Sequence, residues 1–404
     1  MQTKNDKITK ITGGVTAPQG FQAAGVACGL KKHGRDLAMI VSELPATCAG
    51  TFTTNVVKAA PVLWTQQVIA QGRAQAIVAN SGNANACNGV QGAIDTERMA
   101  QLAGQACGLP TTQVVVASTG VIGQPLDMDK VASGIFGAVA QLNKHGGVQA
   151  AQAIMTTDTQ AKEYAVTLRL SGGDVRIGGT AKGSGMIHPN MATMLCFLTT
   201  DADIESSLLQ QLMQQAVECS FNMVTVDGDT STNDMAIILA NGAAQVSVVS
   251  DRDIATFAAG LQIVCQELAK MVAGDGEGAT KLIEVAVVGA STTKQARVIA
   301  RAIAGSNLVK TAIYGEDANW GRIFCAAGYS GEMFDPTLVD IYLGELQVAA
   351  QGSGLAFDEE AARVILQKPD ISIKVNLNAG SAMAIAWTCD LTYDYIKINA
   401  SYRS

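Results

Sequence analysis

The sequence predicts an α+β or layered α/β fold, with mixed sheets sandwiched by helices. Three observations carry that expectation. Short β-rich runs alternate with longer runs at helical spacing. The strict strand–helix–strand rhythm of a doubly wound sheet is missing. Nearly half of the 404 residues (48%) are apolar, enough to bury a large core. Glycine, at 41 residues against 8 prolines, points to tight turns and close backbone approaches in place of Pro-rich linkers.

Along the chain, Ala74–Ala79 reads as a strand entering the polar loop Asn80-Ser81-Gly82-Asn83. Asp95–Gly108 reads as a helix, with Asp95 or Thr96 as N-cap and Gly108 as C-cap. Val114–Ala117 is a buried strand that turns out at Ser118-Thr119-Gly120, and Leu126–Leu142 is helical. Tyr164–Leu170 alternates and meets a hairpin-type turn at Ser171-Gly172-Gly173 before Val175–Gly178. Helices follow at Ser206–Cys219 and Asp253–Val272, a strand at Ile283–Val288 and a helix at Ser291–Ala304. Leu338–Val348, Ile371–Leu377 and Ala382–Asp390 read as strands, the last one buried. The Gly-rich stretch Gly274–Gly278 suggests a boundary. Residues 1–205 are expected to form an N-terminal α/β catalytic domain, 206–281 a small α+β segment, and 282–404 a C-terminal α/β domain.

Composition removes several classes of function. The net charge is −7, and the densest cationic cluster is only Lys31, Lys32 and Arg35, which disfavours nucleic acid and anionic membranes as partners. The nine cysteines stand singly with no C-x-x-C, and the three histidines lie far apart, so neither a disulfide framework nor a metal site is expected. The first residues have no apolar core after their lysines, and no apolar run is long enough to span a bilayer; a soluble, cytoplasmic protein is expected. No P-loop, G-x-S-x-G elbow or H-E-x-x-H is present.

What remains is Lys182-Gly183-Ser184-Gly185-Met186-Ile187-His188-Pro189-Asn190-Met191-Ala192-Thr193-Met194-Leu195, a polar Gly loop that becomes an apolar run just past Thr193. Were the Ala192–Thr193 peptide cut, the Thr193 hydroxyl would have its own α-amine beside it as a base of near-neutral pKa. On β-propensity alone, a threonine opening a strand is more often structural than catalytic. The other candidates have equally plain readings. Thr119 and Gly120 would be a strand exit, Lys182 a solvated cation, Thr156 a turn residue, Glu277 a loop charge, and Asn399 with Ser404 a mobile end. Asp227, Asp229 and Asp234 lack calcium-loop spacing and read as structural hydrogen-bonding groups; His188 is a candidate general base, against the plainer reading that His-Pro-Asn only shapes the turn.

The same segment resembles the cleavage motif of the ornithine acetyltransferase (glutamate N-acetyltransferase) family. The blocks Asn80–Ala86, Ser118–Gly123, Ile154–Thr159, Thr225–Asp234, Gly315–Arg322 and Lys397–Ser404 resemble family blocks in the expected order, so the likeness covers essentially the whole chain. The resemblance implies self-cleavage between Ala192 and Thr193 into two chains that fold together, and a ping-pong transfer of acetyl from N2-acetyl-L-ornithine to L-glutamate. It implies Thr193 as nucleophile, Thr119 and Gly120 as the oxyanion hole, and Thr156, Lys182, Thr193, Glu277, Asn399 and Ser404 as substrate contacts, with the tail returning to the site. Ser404 departs from the family's usual terminal threonine but keeps the hydroxyl. No cofactor or metal is implied. Acetyl-CoA serves some family members as a donor, and no motif separates these from the rest. Paired α and β chains in an α2β2 heterotetramer are the expected assembly. An amidase or aminopeptidase using the same freed threonine, and a non-catalytic metabolite-binding protein with an intact chain, remain open on the residues alone.

Overall fold

The structure, a computed structural model, describes residues 7–188 and 194–401. These residues form three sheets with helices packed on them, a mixed α/β architecture as the pattern predicts. The central six-stranded sheet runs in the order Ile8–Ile11, Lys162–Leu170, Gly173–Lys182, Leu195–Thr200, Met235–Ala240, Thr47–Phe52. Its one parallel pair is Leu195–Thr200 with Met235–Ala240. A four-stranded sheet follows the order Phe21–Val26, Leu37–Ser42, Ala76–Asn83, Val114–Val121, with its last pair parallel. The third sheet is C-terminal, in the order Ser353–Gly354, Leu346–Ala350, Asp340–Leu343, Asp370–Asn376, Leu282–Ala290, Ala382–Cys389.

Period-two side-chain alternation builds the layers. Leu195, Phe197, Met235, Ile237 and Leu239 point to one face of the central sheet, where they meet Ile40, Ile77, Val115 and Ala117 of the four-stranded sheet. Val62, Val68, Ala150 and Ile154, from helices Ala60–Ala70 and Gly147–Ile154, join this cluster. The alternate residues Cys196, Leu198, Ala236 and Ile238 face helices Ser206–Glu218 and Asp251–Gly274. That second core runs on without a break into Ile283, Val285, Ile299, Ile373 and Trp387 of the C-terminal unit. The outer face of the four-stranded sheet is covered by helices Gly89–Cys107 and Met128–Val139, against Met39, Val78 and Val116.

Several elements differ from the pattern reading. The helix read as beginning at Asp95 begins at Gly89, and Asp95 and Thr96 are buried inside it, not caps. The buried stripe Gly92, Asp95, Thr96, Met99 keeps helical spacing, but glycine and polar residues occupy its first turns, so the apolar period is invisible there. Gly108 does close it, in the left-handed conformation at φ 70°. The stretch read as one strand over Leu338–Val348 is a hairpin, Asp340–Leu343 and Leu346–Ala350, turning at Gly344 with φ 55°. The tail Tyr393–Ser401 is helical.

Phe197 is fully buried between the two sheets. Phe197→Ala is expected to cost about 3–5 kcal/mol through lost transfer energy and cavity formation, read as a lowered denaturation midpoint with an unchanged slope.

Candidate active site

The strand Gly173–Lys182 ends with Lys182 paired in register to Leu195, and Leu195 is paired in turn to Met235. The chain that follows Thr193 therefore enters the sheet between these two strands. Met194 is 3% exposed; its N–H donates to Asp234 Oδ1 at 3.0 Å, and its carbonyl accepts from Met235 N at 3.2 Å. The Asp234 carboxyl is fully buried, and burial pushes its pKa well above the usual carboxylate range against the opposing effects of the Met194 N–H and the Lys182 ammonium. Its Oδ2 has no partner among the described residues.

Lys182 is itself buried, 3% exposed. Its Nζ donates to Thr156 Oγ1 at 2.8 Å and to Thr119 Oγ1 at 3.3 Å. Burial lowers the lysine's pKa, and the Asp158 carboxylate opposes that shift. Because Thr119 Oγ1 accepts from the ammonium, its own hydroxyl hydrogen is free to donate elsewhere. The neighbouring Gly120 has φ 130°, and a Cβ there would lie 2.4 Å from Gly82 C, so the two strands meet in a geometry open to glycine alone. Asn233 clamps this strand end by donating from Nδ2 to Ser118 O at 2.9 Å and to Ala84 O at 2.6 Å.

A second carboxylate ties the loops together. Asp158 accepts from Thr156 N at 3.0 Å, from Gly183 N at 2.7 Å and from Lys162 Nζ at 2.7 Å. Lys162, with a fully buried side chain, also reaches Asp275, which accepts from Thr159 N. Burial alone would raise the Asp158 carboxyl, but the Lys182 and Lys162 ammoniums outweigh it and hold the pKa at about 2. Beyond Asp275, Glu277 N donates to Ser184 O at 2.9 Å. Gly278, at φ 69°, lets the tail helix approach so closely that a Cβ would lie 2.6 Å from Tyr395 N. Asn399 then reaches Glu277 Oε2 from Nδ2 at 2.8 Å, and Tyr395 OH donates to Asp227 Oδ2 at 3.2 Å.

Thr119, Gly120, Thr156, Lys182, Glu277 and Asn399, drawn from five separate segments, line one cavity of about 230 Å³. Ala192, Thr193 and Ser404 lie outside the described residues. Reading the sequence missed Asp158, Lys162, Asn233 and Tyr395 as parts of this site; only their lying in or beside the polar blocks around Thr156, Thr230 and the tail marks them. Asp227 and Asp234 do act as hydrogen-bonding groups, Asp227 by accepting from Met186 N at 2.7 Å and Ile187 N at 2.8 Å. The Asp229 carboxylate forms no such bond to a described residue; its backbone N–H donates to Asp227 Oδ1 at 3.4 Å. His188 does not line the cavity; its Nδ1 is 3.2 Å from Thr225 Oγ1. A larger cavity of about 1190 Å³ beside Lys10, Gly14 and Arg176 contains none of these candidates. Among the described residues, no cluster of His, Cys, Asp or Glu could hold a metal, and no helix is long and apolar enough to cross a membrane.

A buried ammonium between two hydroxyls, with a carboxylate lining the same small cavity, is the polar site of a mixed α/β enzyme that takes a small molecule. The chain belongs to the ArgJ family, whose model matches residues 22–404. It is 54% identical to the arginine biosynthesis bifunctional protein ArgJ of Symbiobacterium thermophilum, covering 98% of this chain and 99% of that one. It is 50% identical to the protein of the same name from Caldanaerobacter subterraneus subsp. tengcongensis, again over 98% and 99%. The crystal structure of ArgJ from Bacillus halodurans is 48% identical, with a TM-score of 0.49, covering 50% of this chain and 97% of that one.

Two outcomes follow from this geometry. The Asp158 pKa is depressed from 3.8 to about 2 on folding, so its stabilisation is full above the unfolded value and lost as pH falls from about 4 to about 2. Asp158→Asn should flatten that acid limb in denaturation measured against pH, and cost about 3–5 kcal/mol at neutral pH by leaving Lys162 partly unpaired. Gly120→Ala should fold less stably and lose activity, since its Cβ collides with backbone and not with a movable side chain.

Proposed function

We propose that this protein is an arginine-biosynthesis acetyltransferase that moves acetyl from N2-acetyl-L-ornithine to L-glutamate through an acetyl-Thr193 enzyme. The observation that carries the reading is the convergence of Thr119, Gly120, Thr156, Lys182, Glu277 and Asn399 on one cavity, with Met194, the residue next to Thr193, bonded to Asp234 and Leu195 paired in register with Lys182.

The chain first cleaves itself between Ala192 and Thr193. The freed α-amine takes the proton from the Thr193 hydroxyl as its oxygen attacks the acetyl carbonyl. The Thr119 hydroxyl and the Gly120 N–H receive the oxyanion; removing one such donor typically costs about 10²–10³ in rate. The α-amine of ornithine leaves with a proton, and the acetyl group stays on the threonine oxygen as an ester. The neutral amine of glutamate attacks that ester through the same oxyanion site and regenerates the hydroxyl. Lys182 and Thr156 pair with the α-carboxylate that both substrates carry. Glu277, with Asn399 and Ser404, takes the cationic end of the substrate. No cofactor or metal takes part; acetyl-CoA is a second donor to be tested. The two cleaved chains stay together as an α2β2 heterotetramer in the cytoplasm, with neither nucleic acid nor membrane as partner.

The test is an assay of acetyl transfer alongside a denaturing gel. The wild type is expected to run as two fragments, the second beginning at Thr193, and to form N-acetylglutamate from acetylornithine. Thr193→Ala should stay uncut and inactive. Acetylornithine consumed equally fast with and without glutamate would make the enzyme a hydrolase; an intact, inactive wild type would overturn the reading. Lys182→Met, which removes an ammonium serving both half-reactions, should weaken binding of donor and acceptor alike.

A further inference from the structure

A ping-pong enzyme must bind two different substrates in one cavity. On the reading above, the donor carries a side-chain ammonium and the acceptor a side-chain carboxylate. Both have the same chirality, so an α-carboxylate held at Lys182 sends both side chains the same way. The groups along that direction decide between them.

The cavity that Lys182 lines is also acidic. Glu277, Asp227 and Asp229 all line it. Tyr395, whose hydroxyl donates to Asp227, lines the same cavity. Two of these carboxylates already accept hydrogen bonds from described residues. Glu277 accepts from Asn399, and Asp227 accepts from the Met186 and Ile187 amides and from Tyr395. Asp229 is different. It is exposed, and its backbone N–H is turned onto Asp227 Oδ1 at 3.4 Å across Gly228, whose φ is 90°. Its carboxylate has no hydrogen-bond partner among the described residues. A charge lining a cavity with no described partner for its acceptor atoms can meet a ligand, and it repels a ligand of like sign.

We infer that Asp229 is a specificity-determining residue that favours the cationic side chain of the donor and disfavours the anionic side chain of the acceptor. It sets the balance between the two half-reactions and touches none of the reacting atoms. The inference rests on the acetyl-transfer reading of the cavity. Asp229 is exposed, so its effect is moderate and falls with salt.

In ping-pong kinetics, kcat/KM for each substrate reports its own half-reaction. Asp229→Asn is expected to lower kcat/KM for N2-acetyl-L-ornithine roughly threefold to fivefold and to raise kcat/KM for L-glutamate by a similar factor, as exposed charge pairs do. Discrimination between N2-acetyl-L-ornithine and its uncharged isostere N2-acetyl-L-norleucine should shrink by the same roughly threefold to fivefold. Asp229→Glu, which keeps the charge, should retain most of the donor preference, and raising ionic strength should bring wild type toward Asp229→Asn. A purely structural role would move both constants the same way. Constants that fall together, or a norleucine discrimination that does not change, would overturn the inference while wild-type transfer upheld the reading beneath it. A wild type that transfers no acetyl would overturn that reading and the inference with it.

Discussion

The site depends on one buried carboxylate, Asp158. It receives an ammonium from Lys162 and backbone N–H groups from Thr156 and Gly183, and the positive charge of Lys182 lies close by. An ion of that kind is tolerated in a protein interior only when its lone pairs are used. The arrangement therefore has little freedom: the loop carrying Thr156, the end of the strand carrying Lys182 and, through Lys162, the Asp275–Gly278 turn carrying Glu277 must come together or leave charges unpaired. The chemistry-bearing groups are positioned by an electrostatic constraint beneath the cavity more than by contacts with one another.

Around that constraint the layers have different tasks. Dry packing of Phe197, Ile237 and Ile77 between the two N-terminal sheets fixes the parallel strands Ala76–Asn83 and Val114–Val121, and their ends present Thr119 and Gly120. The continuous core from the central sheet into the C-terminal unit brings the tail helix back over the Gly278 turn. The cavity as a result is lined by one ammonium, Lys182, and by the carboxylates of Glu277, Asp227 and Asp229. On the proposed reading, the ammonium meets the α-carboxylate that both substrates share, and the carboxylates face side chains that differ in charge.

Much of this was legible in the sequence, and the reasons are specific. Strands such as Val114–Ala117 and helices such as Asp251–Gly274 carry apolar residues at a clean period, so type and place could be read. The start of Gly89–Cys107 and the Gly344 turn were misread because a glycine-rich first turn hides helical spacing and a two-residue hairpin hides inside an apolar run. For the site, composition could only clear the ground: no motif with a self-evident mechanism was present. Resemblance to family blocks supplied the candidates, and the residues described in the structure gather around one cavity. Asp158 and Lys162 escaped notice because a buried i, i+4 ion pair looks in sequence like any surface pair; only burial separates the two. Asp229 was read together with its neighbours, and the difference between an engaged and an unengaged carboxylate has no signature in sequence.

The most direct measurement is mass spectrometry of the protein incubated with N2-acetyl-L-ornithine in the absence of any acceptor, followed by proteolysis. The account predicts a single acetyl group on the peptide that begins at Thr193, removed when L-glutamate is added. An unmodified Thr193 peptide in protein that still transfers acetyl, or an acetyl group on any other residue that discharges to glutamate, would contradict it.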